Sequence, residues 1–285
     1  MNEASTITIG SDLHVKRLGF GAMRLCGPGV WGAPKDPENA TRVLRRALEL
    51  GVEFIDTADA YGPGVNEEQI AEALAPYASE LAIATKGGCT RGGPGVWGRD
   101  GSRAHLRQAC EASLHRLRVE RIDLYQLHAV DSGVPFEEQI GTLRELCDEG
   151  KIRYVGLSNV NLEQLTRAEH IVEIASVQNS YNVGDRESEA ILAYCEANGL
   201  AFIPYFPLDG GDLVAHGALE EVARAHDTSI WQVGLAWLLQ HSPATLPIPG
   251  TSSVEHLEEN VAATSLTLSD AEYERLCAFG SEEEE

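Results

Sequence analysis

The chain has 285 residues, of which 43% are hydrophobic, and a formal net charge of −22 at pH 7. It is long enough for one barrel-sized domain, and its charge excludes a nucleic-acid backbone as partner. No apolar run approaches the roughly 18 residues of a membrane span, Met1-Asn2-Glu3 lacks the features of a secretion signal, and six cysteines lack C-x-x-C spacing, which together predict a cytoplasmic protein with free thiols and no metal site.

Residues 6–9 and 13–16 flank Gly10-Ser11-Asp12 and read as a β-hairpin ahead of the first barrel strand, placed to close the barrel bottom. From there strand-like runs at 18–20, 54–56, 81–85, 124–127, 154–157, 176–178, 201–205 and 245–248 alternate with longer amphipathic stretches. The clearest of these stretches are 39–50, 103–117, 136–149, 187–198 and 230–240, with a last helix at 266–279. The alternation predicts an α/β protein: a (β/α)8 TIM barrel in one domain over 1–285, comprising the hairpin at 1–17 and a solvated acidic tail at 282–285. No strand leads into a G-x-G-x-x-G turn, which argues against a doubly wound sheet.

In a barrel the carboxyl ends of the strands share one rim. Asp56-Thr57-Ala58-Asp59-Ala60-Tyr61-Gly62, Ala84-Thr85-Lys86, Leu127-His128 and Gly156-Leu157-Ser158-Asn159 each follow such a run, so Asp56, Tyr61, Lys86 and His128 are expected around one pocket. Lys86 is one of four lysines among 22 basic residues. Its compact ammonium responds to neighbours in a way that guanidinium does not. A phenol beside it gains a cation that stabilises phenolate, and Asp56 supplies the counter-ion. His128 suits carbonyl orientation or proton relay, with a structural histidine as the bland alternative. A metal site lacks an H-x-H or H-E-x-x-H pairing.

With these residues in this order and spacing, the chain resembles the aldo-keto reductase superfamily over nearly its full length. The resemblance implies that Asp56, Tyr61, Lys86 and His128 form a catalytic tetrad, with Tyr61 as general acid and Lys86 lowering its pKa in an NAD(P)H-dependent carbonyl reductase. It further implies that Ser158, Asn159 and Gln178 hold the nicotinamide carboxamide, that Tyr205 stacks on the ring, and that Pro207 and Leu208 continue the cofactor signature. Without the family, Ser158-Asn159 also reads as a helix N-cap.

Ile248-Pro249-Gly250-Thr251-Ser252-Ser253 is a small-residue turn before a helix, suited to phosphate. By resemblance Gly250, Thr251, Ser252, His256, Glu259 and Asn260 take the adenosine end of NADPH, with NADH possible. Better-known members often have Lys where Gly250 stands and Arg where His256 stands.

Gly-Pro-Gly-Val-Trp-Gly occurs twice, at 27–32 and 93–98, in rim loops. Trp31 and Trp97 either wall a substrate pocket or pack structurally on the barrel. Substrate selection is expected to rest on these loops and on 209–214, without a long carboxyl-terminal loop over the pocket. The motifs are most similar to the bacterial branch containing pyridoxal reductases, which implies a small carbonyl substrate, pyridoxal or a like aromatic aldehyde. A nicotinamide-binding sensor or regulatory subunit on the same fold is the alternative.

Overall fold

The computed structural model describes residues 6–209 and 217–279. Strands β1 (Thr6–Ile9) and β2 (Leu13–Lys16) pair antiparallel, with Thr6 opposite Lys16. Alternation along this hairpin turns Ile9, Leu13 and Val15 to one face, where they pack with Phe54, Ala82, Ala175, Ala201 and Leu246 on the barrel floor. The hairpin thus closes the bottom, as expected from its position.

The barrel wall begins with β3 (Phe20–Gly21), β4 (Phe54–Asp56) and β5 (Ala82–Gly87). A short antiparallel hairpin, β6 (Cys89–Gly93) and β7 (Val96–Arg99), stands on the rim before the wall resumes with β8 (Ile122–Leu127), β9 (Ile152–Ser158), β10 (Ile174–Gln178) and β11 (Ala201–Phe202). The seven wall strands form one parallel sheet in the order β11-β10-β9-β8-β5-β4-β3. Residues 244–249 join its two edges. Leu246 N donates to Phe202 O and Phe202 N to Ala244 O, both at 2.8 Å, while Gly19 N donates to Pro247 O at 2.9 Å. The segment expected as the eighth strand therefore closes the barrel. Pro247 and Pro249 have no N–H to donate, so toward β3 it serves as an acceptor only.

Outside the wall lie α1 (Pro37–Glu49), α2 (Val65–Leu74), α3 (Arg103–Leu117), α4 (Phe136–Asp148), α5 (Leu162–Glu169), α6 (Glu189–Asn198), α7 (Gly217–Ala225), α8 (Ile230–His241), α9 (Val254–Ala262) and α10 (Asp270–Phe279). Helix α1 starts before the expected residue 39 because Asp36 accepts from Asn39 N and Pro37 follows it, an N-cap with proline at N1. Helix α2 lacked a clear apolar stripe because it buries Asn66, Glu67 and Gln69 along with its alanines and Ile70. The last helix begins at Asp270 rather than 266, and the 93–98 loop proves to be the turn and the start of the returning strand of the rim hairpin. Residues 210–214 of the expected rim loop and the acidic tail lie outside the described residues. No described helix is long and apolar enough to cross a membrane, and no described cluster of His, Cys, Asp and Glu is arranged to hold a metal.

Candidate active site

Asp56 ends β4 and Lys86 lies one residue before the end of β5, adjacent parallel strands that bring carboxylate and ammonium together. Lys86 Nζ donates to Asp56 Oδ1 at 2.6 Å and to Thr57 O at 2.9 Å. Its side chain has no exposed surface, which rules out a strand-end lysine reaching solvent. The other oxygen of Asp56 accepts from Gln178 Nε2 at 2.8 Å and Gln126 Nε2 at 3.3 Å. Both oxygens of this carboxylate are therefore engaged, as a buried charge requires.

The loop leaving β4 carries Tyr61 and is pinned to the wall and α2. Asp59 N donates to Lys86 O, Thr57 Oγ1 to Asn66 Oδ1 at 2.6 Å, and Thr85 Oγ1 to Glu67 Oε1. Glu67 is fully buried and paired at 2.6 Å with Arg116. This scaffold sets the Tyr61 ring 5.3 Å from Lys86 Nζ and 5.8 Å from the His128 ring, edge to face. Trp97, on β7, meets both rings at 6.3 and 6.0 Å.

Burial and then the Asp56 charge push the Tyr61 phenol well above its ordinary pKa of 10.0. The net direction is upward although Lys86 Nζ lies 5.3 Å from the ring. The ammonium is already engaged by Asp56, so the field at the phenol favours the neutral, proton-carrying form. Burial, with Lys86 and Arg91 nearby, holds His128 well below 6.5, so the imidazole is uncharged at neutral pH. Its buried Nδ1 has no hydrogen-bond partner among the described residues.

Above these groups opens a cavity of about 610 Å³. Asp56, Tyr61, His128, Ser158, Asn159, Gln178, Tyr205, Pro207, Leu208, Gly250, Thr251, His256, Glu259, Asn260 and Trp97 all line it. Lys86 does not, because Asp56 and Tyr61 cover it. Nor does Ser252, whose carbonyl accepts from Asn39 Nδ2 on α1 at 2.7 Å. Trp31 also stays outside. Its loop folds back through Gly27 N to Gly32 O and Trp31 N to Gly27 O, and leaves the indole 37% exposed beside Arg91.

Asn159 holds a left-handed conformation, φ 57°, secured by bonds from its side-chain nitrogen to His128 O (2.9 Å) and from Tyr205 Oη to its oxygen (2.8 Å). The cap of α5 is Asn161, in a capping box with Gln164, so Ser158-Asn159 is not the N-cap. Gln178 turns its amide nitrogen inward to Asp56, which leaves its carbonyl oxygen as the group able to accept from a ligand. At the far end, Thr251 and Ser253 order the turn into α9: Ser253 N donates to Thr251 Oγ1 and His256 N to Ser253 Oγ. Neutral amides and an aromatic ring at one end, with hydroxyls and an imidazole at the other, fit an elongated dinucleotide.

Phe206, within the 205–208 cofactor signature, also lines the cavity, as do Met23, Arg24, Cys89, Arg99 and Trp231, which were missed. Met23, Arg24 and Cys89 follow wall strands, so the rim rule applied to every strand end finds them. Trp231 sits at the start of α8, where nothing in its local sequence points to the cavity.

The aldo/keto reductase family model matches residues 17–280. Among curated proteins, an uncharacterised oxidoreductase of Schizosaccharomyces pombe is 46% identical over 284 residues, covering 99% of this chain and 92% of its own. Pyridoxine 4-dehydrogenase of Escherichia coli is 43% identical over 273 residues, covering 94% of this chain and 95% of its own. Among solved structures, an aldo/keto reductase of Klebsiella pneumoniae in complex with NADP and acetate superposes with a TM-score of 0.80 at 27% identity, over 95% of this chain and 94% of that one.

Proposed function

As the chain belongs to the aldo/keto reductase family and is an NAD(P)H-dependent oxidoreductase, we propose that it reduces an aldehyde or ketone to the alcohol with NADPH, Tyr61 giving the proton. The observation that carries this reading is the meeting of a buried phenol, an imidazole 5.8 Å from it and a buried ammonium–carboxylate pair beneath one cavity. NADPH held in this cavity would supply hydride to the carbonyl carbon. Tyr61 donates its proton to the oxygen as negative charge builds there, and His128 orients that oxygen through a ring N–H. Lys86 stabilises the charge left on the phenol, and Asp56 holds the ammonium. Ser158, Asn159, Gln178 and Tyr205 hold the nicotinamide end, and Gly250, Thr251, His256, Glu259 and Asn260 the adenosine end. The preference for NADPH over NADH rests on His256, beside the turn into α9.

A flat aromatic aldehyde, pyridoxal included, is the preferred substrate class in this reading. Trp97 offers it an indole wall beside Tyr61 and His128, and the Escherichia coli relative is named for pyridoxine oxidation. NADPH oxidation across a panel of aromatic and aliphatic aldehydes tests the substrate class, and Tyr61→Phe tests the proton donor. The variant should lose about 10²- to 10⁴-fold in turnover while still quenching on NADPH addition. Wild-type reduction should be flat between about pH 6 and 9, because the phenol remains protonated throughout. Near-normal turnover in Tyr61→Phe sinks the assignment.

A further inference from the structure

The two Gly-Pro-Gly-Val-Trp-Gly copies lie against each other: Gly95 N donates to Gly29 O at 3.0 Å, and a Cβ on Gly29 would sit 2.8 Å from Gly95 N. Between them runs Arg91, on β6. Its guanidinium has five N–H donors in a fixed plane, and the structure provides five backbone carbonyls for them. Nη1 donates to Val30 O (2.8 Å) and Ala60 O (3.0 Å), Nη2 to Gly29 O (2.6 Å) and Gly93 O (3.4 Å), and Nε to Val96 O (3.3 Å). Those carbonyls belong to three segments: the loop after β3, the loop carrying Tyr61, and the rim hairpin. The first two are also joined directly, by Gly32 N to Gly62 O and Gly62 N to Val30 O.

The same guanidinium lies over the Trp97 indole, its carbon 3.8 Å from the ring centroid. Trp97 is 43% exposed and lines the cavity, so an unsupported indole there would sample several rotamers. A planar cation stacked on it, and tied by five bonds to three segments, removes that freedom. Ala60, which accepts one of these bonds, is the residue before Tyr61. One side chain therefore sets both the wall a substrate would touch and the loop bearing the phenol.

We propose that Arg91 is a positioning residue for carbonyl reduction: it fixes Trp97 against Tyr61 and His128 and thereby selects flat aromatic carbonyl compounds over small aliphatic ones. The inference rests on the proton-donor reading of Tyr61 and extends it to substrate shape. Lysine at this position keeps the charge but has neither the plane nor the five donors, so it cannot substitute.

The test uses the full chain with NADPH, benzaldehyde and propanal as probes, and the variants Arg91→Lys, Arg91→Met, Trp97→Leu and Tyr61→Phe. Both Arg91 variants should bind NADPH as the wild type does and lose about 10- to 100-fold in kcat with either aldehyde, the scale of a small misplacement of reacting groups. KM for benzaldehyde should rise about tenfold, the equivalent of about 1.4 kcal/mol of lost binding, with little change for propanal. Trp97→Leu, which leaves the carbonyl contacts of Arg91 in place, should reproduce the KM split without the full fall in kcat. Partial unfolding alone would lower kcat equally for both aldehydes and leave both KM values alone. That pattern, or unchanged kinetics in Arg91→Lys, overturns the proposal. Should the Arg91 variants fail to accumulate, Trp97→Leu decides, and equal KM changes for the two aldehydes overturn it. If Tyr61→Phe is fully active, the proton-donor reading fails instead, whatever the Arg91 variants do.

Discussion

Lys86 and Asp56 illustrate how one side chain's chemistry depends on its neighbour's. The pair is buried, its contact is 2.6 Å, and the second oxygen of Asp56 accepts from two glutamines. Removing one partner strands the other charge, which typically costs about 3–5 kcal/mol. Lys86→Met is therefore expected to lower the thermal midpoint sharply. Lys86→Arg keeps the charge but not the compact ammonium, and should retain folding better while losing most turnover, which parallel melting and kinetic measurements would show. A second buried acid behaves differently. Asp59 has an oxygen with no described partner, and burial followed by the Glu67 charge pushes its pKa up to about 8. The folded state then holds a proton that the unfolded chain releases near 3.8. Stability from this group is full at acid pH and declines as pH rises toward 8. Asp59→Asn should flatten that decline, so the variant's melting temperature should gain on the wild type from about pH 5 to pH 8. A constant difference between the two melting curves over that range would show that Asp59 is ionised throughout.

At the scale of elements, the seam between β3 and the closing segment sets the tightest constraint. A Cβ on Gly21 would lie 2.6 Å from Ile248 O, and one on Gly250 would lie 2.5 Å from Gly21 O. Both neighbours are backbone, which cannot swing aside as a flexible side chain does. Gly250→Ala is thus expected to cost about 1–3 kcal/mol and to weaken NADPH binding, since the seam opens where the cavity wall lies; a melt and a quenching titration measure both. Gly250 therefore answers to packing, a reason invisible in a turn motif read residue by residue. The rim hairpin carries the same lesson. Its strands carry Gly92, Gly93 and Gly98 around a Pro94-Gly95 turn and offer almost no apolar alternation, so the segment reads as a loop. Arg91 and Trp97, directly paired across it, give it order through a cation–aromatic stack that no periodicity records.

For the whole molecule, a chain of strongly acidic net charge carries a site whose described lining includes Arg24, Arg99 and His256. With −22 formal charges, the long-range field repels a polyanionic dinucleotide before any local contact forms. NADPH association should accelerate as salt rises from about 10 to 150 mM, because the Debye length shrinks from roughly 30 to 8 Å. A stopped-flow association rate that falls with salt would mean that the local cations dominate instead. The barrel itself was legible along the chain, because strand-like runs alternating with amphipathic stretches leave few ways to bury both. So was the convergence of Asp56, Tyr61 and His128, since parallel strands carry their carboxyl ends to one rim whatever the loops do. Tertiary structure alone decided the rest. Trp31 and Trp97 share one motif and part company only when the second copy becomes a hairpin turn over the site. The Tyr61 pKa rises because burial and Asp56 outweigh a lysine already neutralised by its partner. Arg91 gains its place from five carbonyls in three segments distant in sequence. Periodicity is local and survives in the sequence, whereas desolvation and side-chain partnership exist only once remote segments have met.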